Sequence, residues 1–151
     1  MSKDYEVIDL ETGVWNVGDE AIGSMAPSPF HPKNKIVLSG MICPSGSSEV
    51  LVADRFTSSL PTIKPTLVGH NIKFDLLYLM SGDYSASWVG WLGNKTSTIW
   101  CTQLAEYLLR GQVPKFPSLN ECSEKYGGTQ KVDEVKAFWD EGVMTEDIRE
   151  E

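Results

Sequence analysis

The chain has 151 residues, 41% of them hydrophobic, and a formal net charge of −8, which suits one hydrophobic core and hardly two, so a single domain over residues 1–151 is expected. The charge argues against a protein that coats nucleic acid through a basic surface. It is unevenly spread, however: three basic and eight acidic residues from Lys131 onward put −5 on the tail and leave −3 on residues 1–130, and an acidic site that metal ions neutralise fits such a balance.

Met1–Asp4 lacks the apolar core of a signal peptide, and no apolar stretch reaches membrane-spanning length, so a cytoplasmic protein with no membrane partner is expected. The first periodic segment is Glu6–Thr12, an apolar run holding Asp9 and Glu11. In a strand, residues two apart share a face, so both carboxylates project side by side from the strand's end. Such a pair repels unless a cation or donors intervene, and hard divalent ions such as Mg²⁺ take oxygen ligands of this kind. Taken alone, the segment reads more readily as a strand end emerging into solvent, because short acid spacings are common by chance.

Gly13–Pro32, with its glycines and prolines, reads as a long irregular connection. Its Trp15 and Phe30 serve either to pin the loop to the core or as a lip for terminal bases. Lys35–Ile42 and Glu49–Asp54 flank the turn Pro44–Ser48 and make an antiparallel hairpin. Thr66–Leu79 then reads as a short strand, Asn71 as a helix N-cap, and a helix with Phe74, Leu77 and Tyr78 on one face. Asp75 falls in that helix's first turns, near the end of the preceding strand, where the helix dipole favours a carboxylate. With Asp9 and Glu11 it makes three carboxylates placed to converge.

Trp88 and Trp91, in the segment Ser81–Asn94, are expected to cover the core. Thr98–Cys101 is a short strand, after which Thr102 caps an amphipathic helix with Leu104, Ala105, Leu108 and Leu109 inward. Ser118–Glu121 forms a capping box opening a short helix that ends at Gly127–Gly128. A charged helix over about 132–141, with Val135, Phe138 and Trp139 as its stripe, and a last acidic helix over 146–151 capped by Thr145 complete the reading. Cys43, Cys101 and Cys122 show no metal-like spacing and suit small buried positions in a reducing compartment.

Val7–Gly13 resembles the D-x-E first motif of the 3′-5′ proofreading exonuclease domain of family A DNA polymerases, within the DnaQ-like (DEDD) exonucleases. Val68–Asp75 resembles the N-x-x-[FY]-D second motif. Cys101–Leu109 and Ser118–Glu121 resemble the helical stretches that follow, and order and spacing agree from about residue 5 to about residue 127. The resemblance implies an α/β, ribonuclease H-like mixed sheet with antiparallel strands 1–3, then parallel strands, flanked by helices. It implies two Mg²⁺ or Mn²⁺ ions, Asp9, Glu11 and Asp75 as metal ligands and catalytic residues, Thr12 and Asn71 as substrate contacts, a single-stranded DNA 3′ end as substrate, a DNA polymerase chain as partner, and a bacterial or phage-infected cell as setting. Asn71 equally suits a plain capping role.

The third motif, Y-x-x-x-D or H-x-x-x-x-D, has no counterpart: there is no Tyr after Tyr126, no His after His70 and no Asp after Asp147. The chain reaches Glu151 inside what looks like the helix leading to that motif. The expectation is a truncated domain, weak or inactive by itself, with a non-catalytic nucleic-acid- or polymerase-binding module of the same fold as the alternative.

Overall fold

Alternating burial along Tyr5–Gly13 makes this segment a strand, β1, with Ile8, Leu10 and Thr12 buried on one face and Asp9 exposed on the other. A computed structural model of the chain describes residues 4–13, 28–43, 45–52, 66–81, 85–112, 115–130 and 141. β2 (Lys35–Ile42) lies antiparallel to β1, and β3 (Ser48–Val52) lies antiparallel to β2. β4 (Thr66–Gly69) and β5 (Thr98–Cys101) then run parallel to β1 and to each other. The order β3-β2-β1-β4-β5 makes a five-stranded mixed sheet, antiparallel first and parallel after, as the ribonuclease H-like expectation required.

The pairing along β1 is unequal on its two sides. β2 follows it from Val7 to Gly13, with a register shift between Glu11 and Thr12, whereas β4 pairs with Tyr5–Val7 alone. Beyond Val7 the β4-facing edge therefore needs other partners for its backbone groups. The first comes from helix α1 (Lys73–Ser81), whose Leu76 and Leu79 join Ile8, Leu10, Met41 and Leu67 in the core.

The core-facing positions of α1 are Asp75, Leu76, Tyr78 and Leu79; Phe74 and Leu77 are half-buried, so the expected Phe74–Leu77–Tyr78 face is displaced toward Asp75 and Leu76. Phe74 still packs against the core, its ring 5.0 Å from that of Tyr78. Asn71 is not at the helix boundary. It precedes α1 by two residues, with φ of 56°, the left-handed backbone that asparagine tolerates better than most residues, and its carbonyl accepts from Phe74 N–H at 2.8 Å.

Trp88 and Trp91 lie on a helix of their own, α2 (Ser85–Leu92), packed on α1, with Trp88 fully buried and Trp91 edge-on to it. Core covering is thus the role of both, Trp88 inside the core and the half-buried Trp91 packed against it. Helix α3 (Thr102–Leu109) departs from expectation. Cys101, not Thr102, occupies its N-cap position, and Leu104, Leu108 and Leu109 are exposed, Leu109 to 74%. The residue α3 buries is Glu106. A leucine count takes no account of a carboxylate that can satisfy itself inside, which is what decides the inward face here.

Helix α4 (Leu119–Tyr126) follows the sequence closely. Ser118 Oγ accepts from Glu121 N–H at 3.2 Å, Glu121 Oε2 accepts from Ser118 N–H at 2.6 Å, and Gly127 closes the helix at φ of 71°. Cys43, Cys101 and Cys122 are free thiols, half-buried and not fully buried as expected. Trp15, Asp54, residues 132–140 of the expected charged helix and the expected helix over 146–151 lie outside the described residues; Glu141, at the end of the former, is a turn residue.

Candidate active site

Where β1 outruns β4, Leu10 N–H points along the sheet plane toward the start of α1, and Asp75 Oδ1 accepts it at 3.1 Å. Asp75 is only 3% exposed. Desolvation by burial first, and then the nearby charge of Asp9, raise its pKa from an ordinary 3.8 to about 7. The Leu10 amide and Asp75's own amide work in the opposite direction, and Glu11 adds a smaller upward push. The three carboxylates expected from the sequence thus share one electrostatic neighbourhood at the end of β1. They differ in access: Asp9 is exposed, Glu11 half-buried and Asp75 buried beneath them.

Thr12 continues the buried face of β1. Tyr78, buried on α1, is hydrogen-bonded to the side chains of Thr12 and Asn34, which lowers its pKa against the larger upward effect of burial. Asn34 belongs to the turn 28–34 ahead of β2, where it donates through Nδ2 to Ser28 O at 2.9 Å. The end of β1, the start of β2 and α1 are thereby tied together behind Glu11. Phe30 in the same turn is 72% exposed, so pinning the loop to the core is not its role. Asn71 is exposed at the opening of α1, close in sequence to Asp75.

Two polar centres escaped the sequence reading. His70 bridges three segments, with Nδ1 3.1 Å from Thr102 Oγ1 and Nε2 3.2 Å from Pro117 O. Thr102 Oγ1 also donates to Gly69 O, and Gln103 Nε2 to Pro117 O. The turn carrying Asn71 toward Asp75 is therefore clasped to the starts of α3 and α4. The one cue in sequence was a histidine directly following a strand. Glu106, 3% exposed, accepts from Arg110 Nε at 2.6 Å, Lys125 Nζ at 2.7 Å and Tyr126 Oη at 2.6 Å. The Lys125, Tyr126 and Arg110 bonds hold its pKa down at about 2. Its visible cue was the i,i+4 pair with Arg110; the longer-range partners were not readable. Glu106 lines an open groove of about 460 Å³ with Trp100, Leu109, Leu119 and Tyr126, a place apart from Asp9, Glu11 and Asp75.

Among the described residues, no group of three or more His, Cys, Asp or Glu side chains is placed to hold a metal ion as it stands. The residue types are nonetheless those a hard divalent ion takes: three carboxylates, one of them, Asp75, buried with its pKa raised to about 7 by burial and by the neighbouring charge of Asp9. No helix among the described residues is long and apolar enough to cross a membrane.

Among solved structures the chain is similar to Brucella melitensis NrnC bound to pGG, with a TM-score of 0.51 and 19% sequence identity, over 85% of this chain and 56% of that one. The fold is ribonuclease H-like. The chain spans little more than half the length of that neighbour, and the likeness does not single out the proofreading domains of family A polymerases. No family model and no curated protein sequence matches the chain.

Proposed function

We propose that this chain is a metal-dependent nuclease that acts as a 3′-5′ exonuclease on single-stranded DNA ends, with Asp9, Glu11 and Asp75 as its metal ligands. The observation that carries the reading is Asp75, a buried carboxylate received by a strand amide and raised to about 7 by burial and by Asp9. Accepting the Leu10 amide needs only a neutral oxygen acceptor, as an asparagine would supply; a carboxylate buried there near two more acids is an arrangement that a bound cation would relieve. The fold neighbour NrnC is seen with the oligonucleotide pGG, which supports a nucleic-acid substrate.

Two Mg²⁺ or Mn²⁺ ions, when bound, would supply an activated water and neutralise charge on the scissile phosphate. The chain's own residues have distinct parts. Asp9 and Glu11 would offer oxygens from one face of β1, and Asp75, whose Oδ1 accepts from Leu10 N–H, would add a third carboxylate from α1. Thr12 main chain would meet the terminal nucleotide, and Asn71, exposed in its left-handed turn, the substrate backbone. Proofreading beside a DNA polymerase chain, in a bacterial or phage-infected cell, is the setting that the motif resemblance suggests.

That no group of three or more such side chains among the described residues is placed to hold a metal ion favours a second reading, a non-catalytic nucleic-acid- or polymerase-binding module of the same fold. Release of mononucleotides from a 3′-labelled single-stranded oligonucleotide with Mn²⁺ separates the two. Release by the wild type, lowered at least about 100-fold in Asp9→Ala, is expected of the nuclease. No release by either protein is also what a domain without its third motif would give; oligonucleotide binding that neither needs Mn²⁺ nor changes in Asp9→Ala identifies the module.

A further inference from the structure

Gly40 stands directly across from Asp9 in the antiparallel β1–β2 pair, so a side chain there would project on the same face as the Asp9 carboxylate. Its neighbours Ser39 and Met41 are buried on the other face, against Leu10 and Ile8. Glycine inside a strand weakens it, having no side chain to pack and more freedom to lose. Two structural reasons for tolerating that weakness can be checked, and neither holds. The backbone at Gly40 is not left-handed, and among the described residues the one heavy atom within 4 Å of an added Cβ is the Asp9 backbone oxygen, at 3.8 Å. Gly69 shows what a packing requirement looks like: a Cβ there would meet Ile72 at 3.0 Å.

The missing side chain therefore leaves room beside an exposed Asp9. We infer that Gly40 keeps that space open for the sugar-phosphate of the substrate strand and so acts as a substrate-positioning residue; this rests on the nuclease reading above. A phosphodiester has to come alongside Asp9 if groups held there are to reach it. Cross-strand partners stand about 4.5–5.5 Å apart at Cβ, so the branches of a valine at position 40 would occupy that approach. They would touch neither Asp75 nor its bond to Leu10, which lie on the α1 side of β1.

The test uses Gly40→Ala and Gly40→Val in the full chain, with three measurements: thermal midpoint, Mn²⁺ titration, and kcat and KM for mononucleotide release from a 3′-labelled single-stranded oligonucleotide. Both variants are expected to melt at or above the wild-type temperature and to bind Mn²⁺ as the wild type does. Expected losses in kcat/KM are severalfold for Gly40→Ala and about 100-fold for Gly40→Val, carried mainly by KM. A glycine needed only for structure would instead lower the midpoint and Mn²⁺ binding together, and that result overturns the inference. So does Gly40→Val with wild-type kcat/KM, while wild-type Mn²⁺ binding and release leave the nuclease reading intact. A wild type that releases no nucleotide overturns this inference, and one that also fails to bind Mn²⁺ overturns the nuclease reading with it. Should Gly40→Val fail to fold, Gly40→Ala decides, and wild-type kcat/KM in it overturns the inference.

Discussion

Asp75 ties the stability of the fold to pH through one buried side chain. Its folded pKa, about 7, lies above the ordinary value of 3.8, so the folded protein holds a proton there that the unfolded chain gives up. Stability from this group is fully present below pH 4 and is lost as the pH rises toward and through 7. Over that window the metal-free protein should lose stability, by at most about 4 kcal/mol from this residue. Urea midpoints at pH 5 and pH 8 test it: the wild type should unfold at lower urea at pH 8, and Asp75→Asn should flatten the difference. Glu106 has the opposite sign. Its pKa is held down at about 2 by Lys125, Tyr126 and Arg110, so its contribution is present above pH 4.5 and fades as the pH falls toward 2. Glu106→Gln should lower the melting temperature at pH 7 and leave it little changed at pH 2.5.

Secondary-structure elements were legible where local chemistry alone decides them. β2, β4 and β5 fall on the expected residues, as does α4, because short apolar runs bounded by turn residues, the Ser118–Glu121 box and Gly127 each act within a few residues. Ser118→Ala should destabilise the protein by about 1 kcal/mol in urea unfolding, the usual worth of such a cap. α1 and α3 were legible only in position. Their inward faces depend on partners far along the chain: Leu10 N–H for Asp75, and Lys125 and Tyr126 for Glu106. His70 likewise acquires its meaning from Thr102 and Pro117. Replacing it by Ala should remove two hydrogen bonds and lower unfolding stability by about 1–2 kcal/mol, leaving Pro117 O to Gln103.

At the scale of the whole molecule, the topology follows from the order of its strands. The first three strands in sequence pair antiparallel and the next two pair parallel, so the β1 edge beyond Val7 meets the start of α1. That convergence was readable from Asp9, Glu11 and Asp75 together, although from no one of them. The room beside Asp9 was not readable, because it depends on the register that sets Gly40 opposite. A net charge of −8 also sets how substrate is met. Single-stranded DNA should bind weakly in EDTA and more tightly with Mn²⁺, since bridging ions, and not a basic surface, would hold the phosphates. Equal affinity in both, measured by fluorescence anisotropy, would point to a binding surface elsewhere.

The most direct measurement of the central claim is a titration of Mn²⁺ into the protein at pH 7.5, following the signal of the unbound ion, for the wild type, Asp9→Ala and Asp75→Asn. Saturable binding by the wild type, weakened at least about tenfold in each variant, is the expected result. No saturable binding by the wild type, or binding that both variants retain in full, would contradict a metal site built from these carboxylates.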